Sequence, residues 1–201
     1  MSEVVTKSSE GVVVPIRAFA LGKARLAERL GPEERADLAQ RFAARVVTAA
    51  GELPVVVVTS APEVTTWARD LGVATVADPG TLDAAANDGR AYLAAQGCDR
   101  VVIAHADLPF ARSLAPVLGD GAEPVVALVP DHRDDGTPVL SVPVATPFRF
   151  AYGPGSFRRH LHEAARLGLA VRVVRDPDLA FDVDLPADLE RLRVSNWHVP
   201  D

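Results

Sequence analysis

The stretch VVVPIRAFALGKARL, residues 12–26, opens with three valines and continues through a proline into a basic segment. Unbroken β-branched runs of this kind are typical of strands covered on both faces, as in a parallel sheet. We therefore predict a buried sheet of mostly parallel strands. The same pattern recurs at residues 55–58, 101–103 and 125–129, and more weakly at residues 73–76 and 171–174.

Helical patterns separate these runs. Residues 32–50 begin with Pro-Glu-Glu and carry apolar side chains at spacings of three and four, which predicts an amphipathic helix. Residues 62–71, 82–95 and 156–167 predict further helices, each followed within two residues by a glycine that suits a helix C-terminus. The alternation predicts a three-layer α/β sandwich with a mostly parallel, mixed central sheet. Ligands of such sheets bind where the strands end, so the residues that follow each strand are candidates for function.

The composition is that of an ordinary globular domain, with 201 residues, 48% apolar residues and a net charge of −6. We predict a single domain over residues 11–195 after a disordered polar tail over residues 1–10. The negative charge argues against nucleic-acid binding, and no apolar run is long enough to span a membrane. Cys98 is the one cysteine, which excludes an intramolecular disulfide, and we expect a cytoplasmic protein.

The loop after the first strand is long and basic. It carries Arg17, Lys23, Arg25 and Arg29 against one acid, Glu28, and it contains neither a P-loop nor a dinucleotide-binding glycine pattern. Strand-to-helix loops usually have about 2–6 residues, and longer ones tend to carry function. Two interpretations stay open at this point, namely a cradle for a polyphosphate and a basic loop exposed to solvent.

Aspartates follow two strand-like segments. Asp107 lies just beyond the run at residues 101–103, where it is either a functional carboxylate or the N-cap of a following helix. Asp182 and Asp184 lie in LAFDVDLPADL, residues 179–189, and on a strand they would face the same side. Capping is a second explanation for Asp184, although Pro186 suits the first helical position and so favours the residue before it as the N-cap.

A cation explains the Asp182 and Asp184 pair better than capping does, since capping would leave Asp182 without a role. Two carboxylates about 4 Å apart repel by roughly 4 kcal/mol at an effective dielectric constant of 20, and Asp107 would add to this repulsion. Such a cluster is expected to bind a divalent cation or to raise a pKa. Oxygen ligands favour Mg²⁺ or Mn²⁺, so these three aspartates are predicted metal ligands.

The histidines add little to this prediction. His160 and His162 lie two apart on a predicted helix and face different directions, which makes them a poor metal pair. We assign structural or surface roles to both of them and to His132. His105 receives the same assignment, although it is close enough to Asp107 in sequence to contact a ligand.

Five motifs carry a resemblance to a known family. They are VPIRAFALGKARL at residues 14–26, ADLPF at 106–110, DGTPVL at 135–140, YGPGSFRRHL at 152–161 and FDVDLPADL at 181–189. On these motifs the chain resembles, from about residue 12 to residue 192, the 2-phospho-L-lactate guanylyltransferase family. Actinobacterial members of that family are phosphoenolpyruvate guanylyltransferases of deazaflavin-coenzyme biosynthesis. The resemblance implies a nucleotide-diphospho-sugar transferase-like fold.

The resemblance also implies a magnesium-dependent guanylyltransferase. The phosphate of phosphoenolpyruvate or 2-phospho-L-lactate attacks the α-phosphorus of GTP, and pyrophosphate leaves. By the same resemblance, Arg17, Lys23 and Arg25 hold the triphosphate. Lys23 and Asp107 are the implied catalytic residues.

An acceptor pocket for a small phosphorylated carboxylic acid follows from the resemblance as well. Thr137, Gly153 and Ser156 would line it, and Ser156 begins a predicted helix whose free backbone amides suit an anion. Mg²⁺, or Mn²⁺ in its place, is the implied cofactor. Neither nucleic acid nor a membrane is an expected partner, and a homodimer is left open.

Two positions depart from the pattern of the family. Asp83 stands in GTLDAA, residues 80–85, where the family usually has an asparagine, and an acid there accepts from guanine N–H groups but cannot donate. Asp83 is therefore a predicted GTP contact. Pro138 follows Thr137 and removes an N–H group near the acceptor pocket. Alternatives stay open: a molybdenum-cofactor cytidylyltransferase or a sugar transferase of related fold, or a non-catalytic nucleotide-binding paralogue.

Overall fold

The computed structural model describes residues 9–21, 23–119 and 124–195, and it contains a seven-stranded sheet. The strands are β1 (Glu10–Pro15), β2 (Val55–Val58), β3 (Ala74–Val76), β4 (Arg100–Ala104), β5 (Val125–Val129), β6 (Val139–Pro143) and β7 (Ala170–Val173). The α-helices are α1 (Pro32–Ala49), α2 (Pro62–Asp70), α3 (Leu82–Ala95), α4 (Ser156–Arg166) and α5 (Pro186–Val194). Two short 3-10 helices are η1 (Ala24–Leu26) and η2 (Ala115–Val117).

The structure bears on two further expectations about the chain. Because β1 begins at Glu10 and residues 1–8 lie outside the description, the disordered tail over residues 1–10 and the domain over residues 11–195 stay predictions. None of the helices in the described part combines the length and the apolar character that crossing a bilayer requires.

The sheet has the strand order β3-β2-β1-β4-β6-β5-β7. β6 is antiparallel to both of its neighbours, β4 and β5. All other neighbouring strands are parallel. This arrangement confirms the predicted α/β fold with a mostly parallel, mixed sheet.

The sequence patterns do not predict β6. Pro138 precedes this strand, Pro143 ends it, and Ser141 interrupts its apolar residues. Ser141 is nevertheless buried, and its hydroxyl accepts a hydrogen bond from the Arg100 guanidinium at 3.3 Å. A polar residue that is satisfied by a partner 41 positions away cannot be recognised as a strand interior from local patterns.

Helices cover both faces of the sheet. α1 and α2 share one hydrophobic cluster with Val12, whereas α3 and α4 share a second cluster with Val13. Both valines are fully buried. Successive residues of β1 therefore enter different cores, which explains the unbroken apolar run and confirms the predicted three layers.

A third hydrophobic cluster joins the loop after β1 to the segment before α5. Leu26 and Leu30 of the loop pack with Phe181 and Val183, together with Phe42 of α1. All five side chains are at most 3% exposed. This cluster brings the basic loop and the aspartate pair together from opposite ends of the chain.

Gly89 allows α3 to approach β1 closely, because a Cβ atom at this position would lie 2.3 Å from Cγ1 of Val13. We expect Gly89→Ala to lower the free energy of unfolding by about 1–3 kcal/mol, the usual effect of overpacking, although alanine favours helix. Denaturant unfolding should be compared with Asp88→Ala, an exposed neighbour on the same helix. A Gly89→Ala variant as stable as the wild type would show that α3 can move away from β1 without cost.

Candidate active site

The carboxyl ends of β1 and β4 border a cleft of about 390 Å³. These strands are adjacent and parallel, so Arg17 and Asp107, which follow them, lie at the same edge of the sheet. Both residues line the cleft, together with Lys23 and Asp184. The structure thus brings together four of the site residues that were predicted from the sequence.

Lys23 lies among the acids of the cleft. Its Nζ is 2.7 Å from Oδ2 of Asp107 and 3.6 Å from Oδ1 of Asp184, and its side chain is 7% exposed. Burial works to lower the pKa of Lys23, but the charges of Asp107, Asp184 and Asp182 outweigh burial and raise it. Lys23 therefore carries a full positive charge at neutral pH. Its backbone is left-handed, with φ of 57°, which is uncommon for a non-glycine residue.

Asp107 is ionised at neutral pH. Burial works to raise its pKa, but the neighbouring Lys23 ammonium and His105 outweigh burial and lower it. Its Oδ1 atom is buried and has no hydrogen-bond partner in the described part of the chain. The alternative role of Asp107 as an N-cap is wrong, because turns follow it and η2 begins only at Ala115.

Of the three acids, Asp182 has the surroundings that disfavour ionisation most. Burial, and then the negative charges of Asp107 and Asp184, raise the pKa of Asp182 to about 7. Its buried Oδ1 atom has no hydrogen-bond partner among the described residues, although Nδ1 of His132 lies 3.4 Å away. A buried carboxylate oxygen without a partner costs free energy, so a bound cation would relieve an existing penalty.

Residues 181–184 belong to no strand of the sheet, contrary to the strand assumed from the sequence. Their side chains alternate all the same: Phe181 and Val183 are buried in the third hydrophobic cluster. Asp182 and Asp184 are close enough to Lys23 to raise its pKa. Packing of the apolar pair, rather than a sheet, therefore directs both carboxylates to the same place.

The capping alternative for Asp184 is also wrong. α5 begins at Pro186 and has Leu185 as its N-cap. The Asp188 side chain completes this cap, since its Oδ2 accepts backbone N–H groups of Asp184 at 2.9 Å and Leu185 at 2.7 Å. Asp182 and Asp184 are thus left available for a ligand.

Asp107, Asp182 and Asp184, here called the aspartate cluster, fit a hard divalent cation. Oδ1 of Asp107 and Oδ1 of Asp182 are buried without partners in the described residues, and oxygen donors of this kind suit Mg²⁺ or Mn²⁺. Within those residues, no group of three or more acidic, histidine or cysteine side chains is arranged so that it could hold a metal ion by itself. The Lys23 ammonium lies between Asp107 and Asp184 instead. The arrangement fits a cation that is held jointly by the protein and by a phosphate ligand.

A second cavity, of about 270 Å³, adjoins the cleft and shares Pro15, Ile16, Arg17 and Leu82 with it. Nη2 of Arg17 donates a hydrogen bond to the carbonyl oxygen of Gly80 at 2.7 Å, so the guanidinium borders both spaces. Val58, Asp78, Thr81 and Ala85 complete the wall of the second cavity.

The three predicted acceptor residues are joined by hydrogen bonds. Thr137 and Ser156 are buried, with their hydroxyl oxygens 3.4 Å apart, and the backbone N–H of Ser156 donates to the carbonyl of Gly153 at 3.0 Å. Gly153 has φ of 100°, a conformation that favours glycine. The backbone N–H of His105, a residue of the cleft wall, donates to the carbonyl of Pro138 at 2.9 Å. His105 therefore connects this group to the cleft.

Asp83 and Arg25 lie outside the aspartate cluster. Oδ1 of Asp83 accepts the backbone N–H of Tyr152 at 2.7 Å, which ties the first turn of α3 to the segment before α4. Arg25 is exposed in η1 and makes no hydrogen bond or ion pair with the described residues. The GTP contacts of both residues stay predictions.

Two histidines have contacts at the site that sequence reasoning missed. His132 lies 3.4 Å from Asp182, and Nδ1 of the buried His160 lies 3.0 Å from Oγ1 of Thr137. His132 closely follows the end of β5, which runs in the same direction as β4. The expectation that functional residues follow the carboxyl ends of strands could therefore have identified it. Phe157, His160 and Ala164 are spaced by three and four and are buried together, a signal that would have placed His160 on the inner face of α4.

Comparison with known proteins identifies the family. A family described as "Guanylyl transferase CofC like" matches residues 10–196 of this chain. The chain belongs to this family. A CofC-like relative, the phosphoenolpyruvate guanylyltransferase of Rubrobacter xylanophilus, is 38% identical over 192 residues, which cover 91% of this chain and 93% of the relative. The phosphoenolpyruvate guanylyltransferase of Sphaerobacter thermophilus is 36% identical over 187 residues, which cover 90% of each chain.

Solved structures agree with the CofC-like assignment at the level of fold. A protein assigned as a nucleotide-diphospho-sugar transferase from Desulfovibrio desulfuricans G20 superposes with a TM-score of 0.72 at 18% identity, covering 94% of this chain and 88% of that one. The 4-diphosphocytidyl-2C-methyl-D-erythritol synthase of Anaerococcus prevotii superposes with a TM-score of 0.63 at 10% identity, covering 97% and 99%. The predicted nucleotide-diphospho-sugar transferase-like fold and the predicted family are both confirmed.

Proposed function

We propose that this chain is a cytoplasmic guanylyltransferase that transfers GMP from GTP to phosphoenolpyruvate in the biosynthesis of a deazaflavin coenzyme. The observation that carries the proposal is the cluster of Lys23 with Asp107 and Asp184 at the edge of a cleft that Arg17 also lines. Such a cleft offers cations to a triphosphate beside carboxylates for a metal. The names of the Rubrobacter and Sphaerobacter relatives support the nucleotide and the acceptor.

The reaction requires positioning more than proton transfer. An oxygen of the acceptor phosphate bonds to the α-phosphorus of GTP, the bond from that phosphorus to the bridging oxygen breaks, and pyrophosphate leaves with the oxygen. The acceptor phosphate is already anionic, so a strong base is not needed. We assign Arg17 and Lys23 to the triphosphate oxygens, and Arg25 to the same role from η1. These cations hold the reactants together and screen their charges.

Asp107, Asp182 and Asp184 would hold the divalent cation, with Mg²⁺ as the first candidate and Mn²⁺ as the second. When bound, the cation supplies neutralisation of phosphate charge. The two carboxylate oxygens without a partner in the described residues and the raised pKa of Asp182 support this role, because a cation would give these oxygens a partner and relieve the repulsion at Asp182.

We assign the guanine base to the second cavity. Its apolar wall, which includes Leu82 and Ala85, suits a flat ring, and Asp78 supplies a carboxylate. Oδ1 of Asp78 accepts the backbone N–H of Gly80 at 2.8 Å, which leaves Oδ2 as an acceptor for the adjacent N–H groups of guanine. Cytosine lacks that pair of donors, so this cavity favours GTP over CTP. Asp83, on the same turn as Leu82, is the second candidate for a base contact.

The acceptor is assigned to the group formed by Thr137, Gly153 and Ser156. Hydroxyl groups beside a glycine-rich turn suit a small phosphorylated carboxylate and leave little room for a sugar. Phosphoenolpyruvate is preferred to 2-phospho-L-lactate in this proposal, since both named relatives carry phosphoenolpyruvate in their names.

We expect pyrophosphate release with GTP and phosphoenolpyruvate, with kcat/KM at least about tenfold higher for GTP than for any other nucleoside triphosphate. Steady-state turnover should be measured for four nucleoside triphosphates against phosphoenolpyruvate, 2-phospho-L-lactate and a panel of other phosphorylated acids. Preference for CTP would indicate a cytidylyltransferase. Binding of GTP without turnover of any acid would indicate a non-catalytic paralogue, and faster turnover of 2-phospho-L-lactate would reverse the acceptor assignment.

A further inference from the structure

One buried histidine supports the hydroxyl groups of the proposed acceptor pocket. His160 of α4 is completely buried, and both of its ring nitrogens have protein neighbours. Nε2 lies 3.0 Å from the backbone nitrogen of Ala151, and Nδ1 lies 3.0 Å from Oγ1 of Thr137. His160 therefore connects the segment before α4 to the Thr137 hydroxyl.

The Ala151 contact determines which ring nitrogen carries the proton. A backbone N–H group can only donate, so Nε2 of His160 must accept and is unprotonated. The single proton of a neutral imidazole then resides on Nδ1, which donates it to Oγ1 of Thr137. The opposite tautomer would set two N–H groups against each other at 3.0 Å.

His160 is neutral under physiological conditions. Burial, the charge of Arg159 and the proximity of His105 lower the pKa of His160 to about 4, and Glu163 opposes this shift only in part. A second proton is therefore absent from the ring at neutral pH, and one tautomer describes the residue.

We propose that His160 is a positioning residue that makes the Thr137 hydroxyl a hydrogen-bond donor toward the anionic acceptor. This inference rests on the proposed function and deepens it. Because Nδ1–H of His160 occupies a lone pair of Oγ1, the hydroxyl hydrogen of Thr137 is free for a ligand oxygen. The Ser156 hydroxyl, with its oxygen 3.4 Å away, donates to the other lone pair of Oγ1, which likewise leaves the Thr137 hydrogen to a ligand. With the opposite tautomer, Thr137 would donate to His160 and present only lone pairs, which repel an anion.

A spectroscopic measurement tests the tautomer without any substrate. Nitrogen-15 NMR of labelled protein distinguishes protonated from unprotonated imidazole nitrogens, and the His160 ring signals are assigned in the wild type by through-bond correlation with its own backbone. We expect a protonated Nδ1 and an unprotonated Nε2 at pH 7. A protonated Nε2 would overturn the proposal.

Two substitutions separate the hydrogen bonds of the ring. In His160→Gln, the amide oxygen reaches the place of Nε2 and accepts from Ala151, but the donor to Thr137 is lost. In His160→Asn, the amide nitrogen takes the place of Nδ1 and donates to Thr137, but the bond to Ala151 is lost. We expect His160→Gln to raise KM for phosphoenolpyruvate about 10- to 100-fold and KM for GTP less than about 2-fold. His160→Asn should raise KM for phosphoenolpyruvate by a smaller factor.

His162→Gln is the matched control, because His162 is exposed on the same helix and contributes no group to the site. A purely structural role of His160 would lower stability in both variants and change the two KM values alike, and that result would overturn the proposal. If the wild type converts no phosphorylated acid, the proposed function fails, whereas the NMR measurement still decides the tautomer. The NMR measurement on the wild type also decides the tautomer if both variants fail to fold.

Discussion

Replacing Asp182 by asparagine is expected to lower turnover roughly 10²- to 10³-fold while making the metal-free protein more stable. The loss of turnover follows from the removal of one of three carboxylates that would hold the cation. The gain in stability follows from the surroundings of Asp182, whose Oδ1 is buried without a hydrogen-bond partner in the described residues beside two other acids. Asparagine keeps the size of the side chain and removes its charge.

The stability gain depends on pH in a defined direction. The pKa of Asp182 is raised from 3.8 to about 7 in the folded protein, so the folded state binds more protons than the unfolded state between these values. The contribution of Asp182 to stability is therefore fully present below pH 3.8 and is lost as the pH rises through about 7. Each pKa unit is worth about 1.4 kcal/mol, which limits the cost at pH 8 to about 4 kcal/mol.

Thermal unfolding in EDTA at pH 5 and pH 8, together with steady-state turnover in Mg²⁺, checks both parts of this prediction. We expect Asp182→Asn to raise Tm clearly at pH 8 and much less at pH 5. Asp184→Asn is the matched control, since the Asp184 side chain is 42% exposed and should give the loss of turnover with little gain in stability. If Asp182→Asn kept turnover within about tenfold of the wild type, Asp182 would not be a ligand of the catalytic cation.

Replacing Lys23 by methionine should have the opposite effect on stability. The Nζ atom of Lys23 is 2.7 Å from Asp107 in a nearly closed environment, and its removal leaves buried negative charge without compensation. Breaking a buried ion pair from one side costs about 3–5 kcal/mol, so we expect the metal-free variant to lose that much stability. Turnover should fall as well, because the triphosphate loses a cation.

Magnesium should rescue the stability of Lys23→Met in part. The cation can occupy the space between Asp107 and Asp184 where the ammonium lies, and in the variant it has no ammonium to displace. We therefore expect Mg²⁺ to raise Tm more in the variant than in the wild type, as followed by thermal unfolding over a magnesium titration. Arg29→Met, an exposed change of charge in the same loop, should change stability by no more than about 0.5 kcal/mol. If Mg²⁺ raised Tm equally in Lys23→Met and in the wild type, the cation would not bind where the Lys23 ammonium lies.

Much of the fold could be predicted because its signals are local. The unbroken run that became β1 reflects burial on both faces, and the proline and glycine signals around α2 and α4 reflect backbone preferences of single residues. Asp107 could be located for the same reason, since it directly follows a strand of a parallel sheet. β6 escaped prediction because its buried Ser141 is satisfied by Arg100, a residue of another strand.

By itself, the sequence determined the α/β architecture, the family and the identity of the three acids, since these depend on residue types at short spacings. Only the tertiary structure decided that Lys23 lies between Asp107 and Asp184, because the packing of Leu26 with Phe181 and Val183 joins segments from opposite ends of the chain. The raised pKa of Asp182 and the two neighbours of the His160 ring nitrogens were likewise decided in three dimensions. Both depend on burial and on contacts of individual atoms with residues that are distant in sequence, and the spacing of residues along the chain does not reveal such contacts.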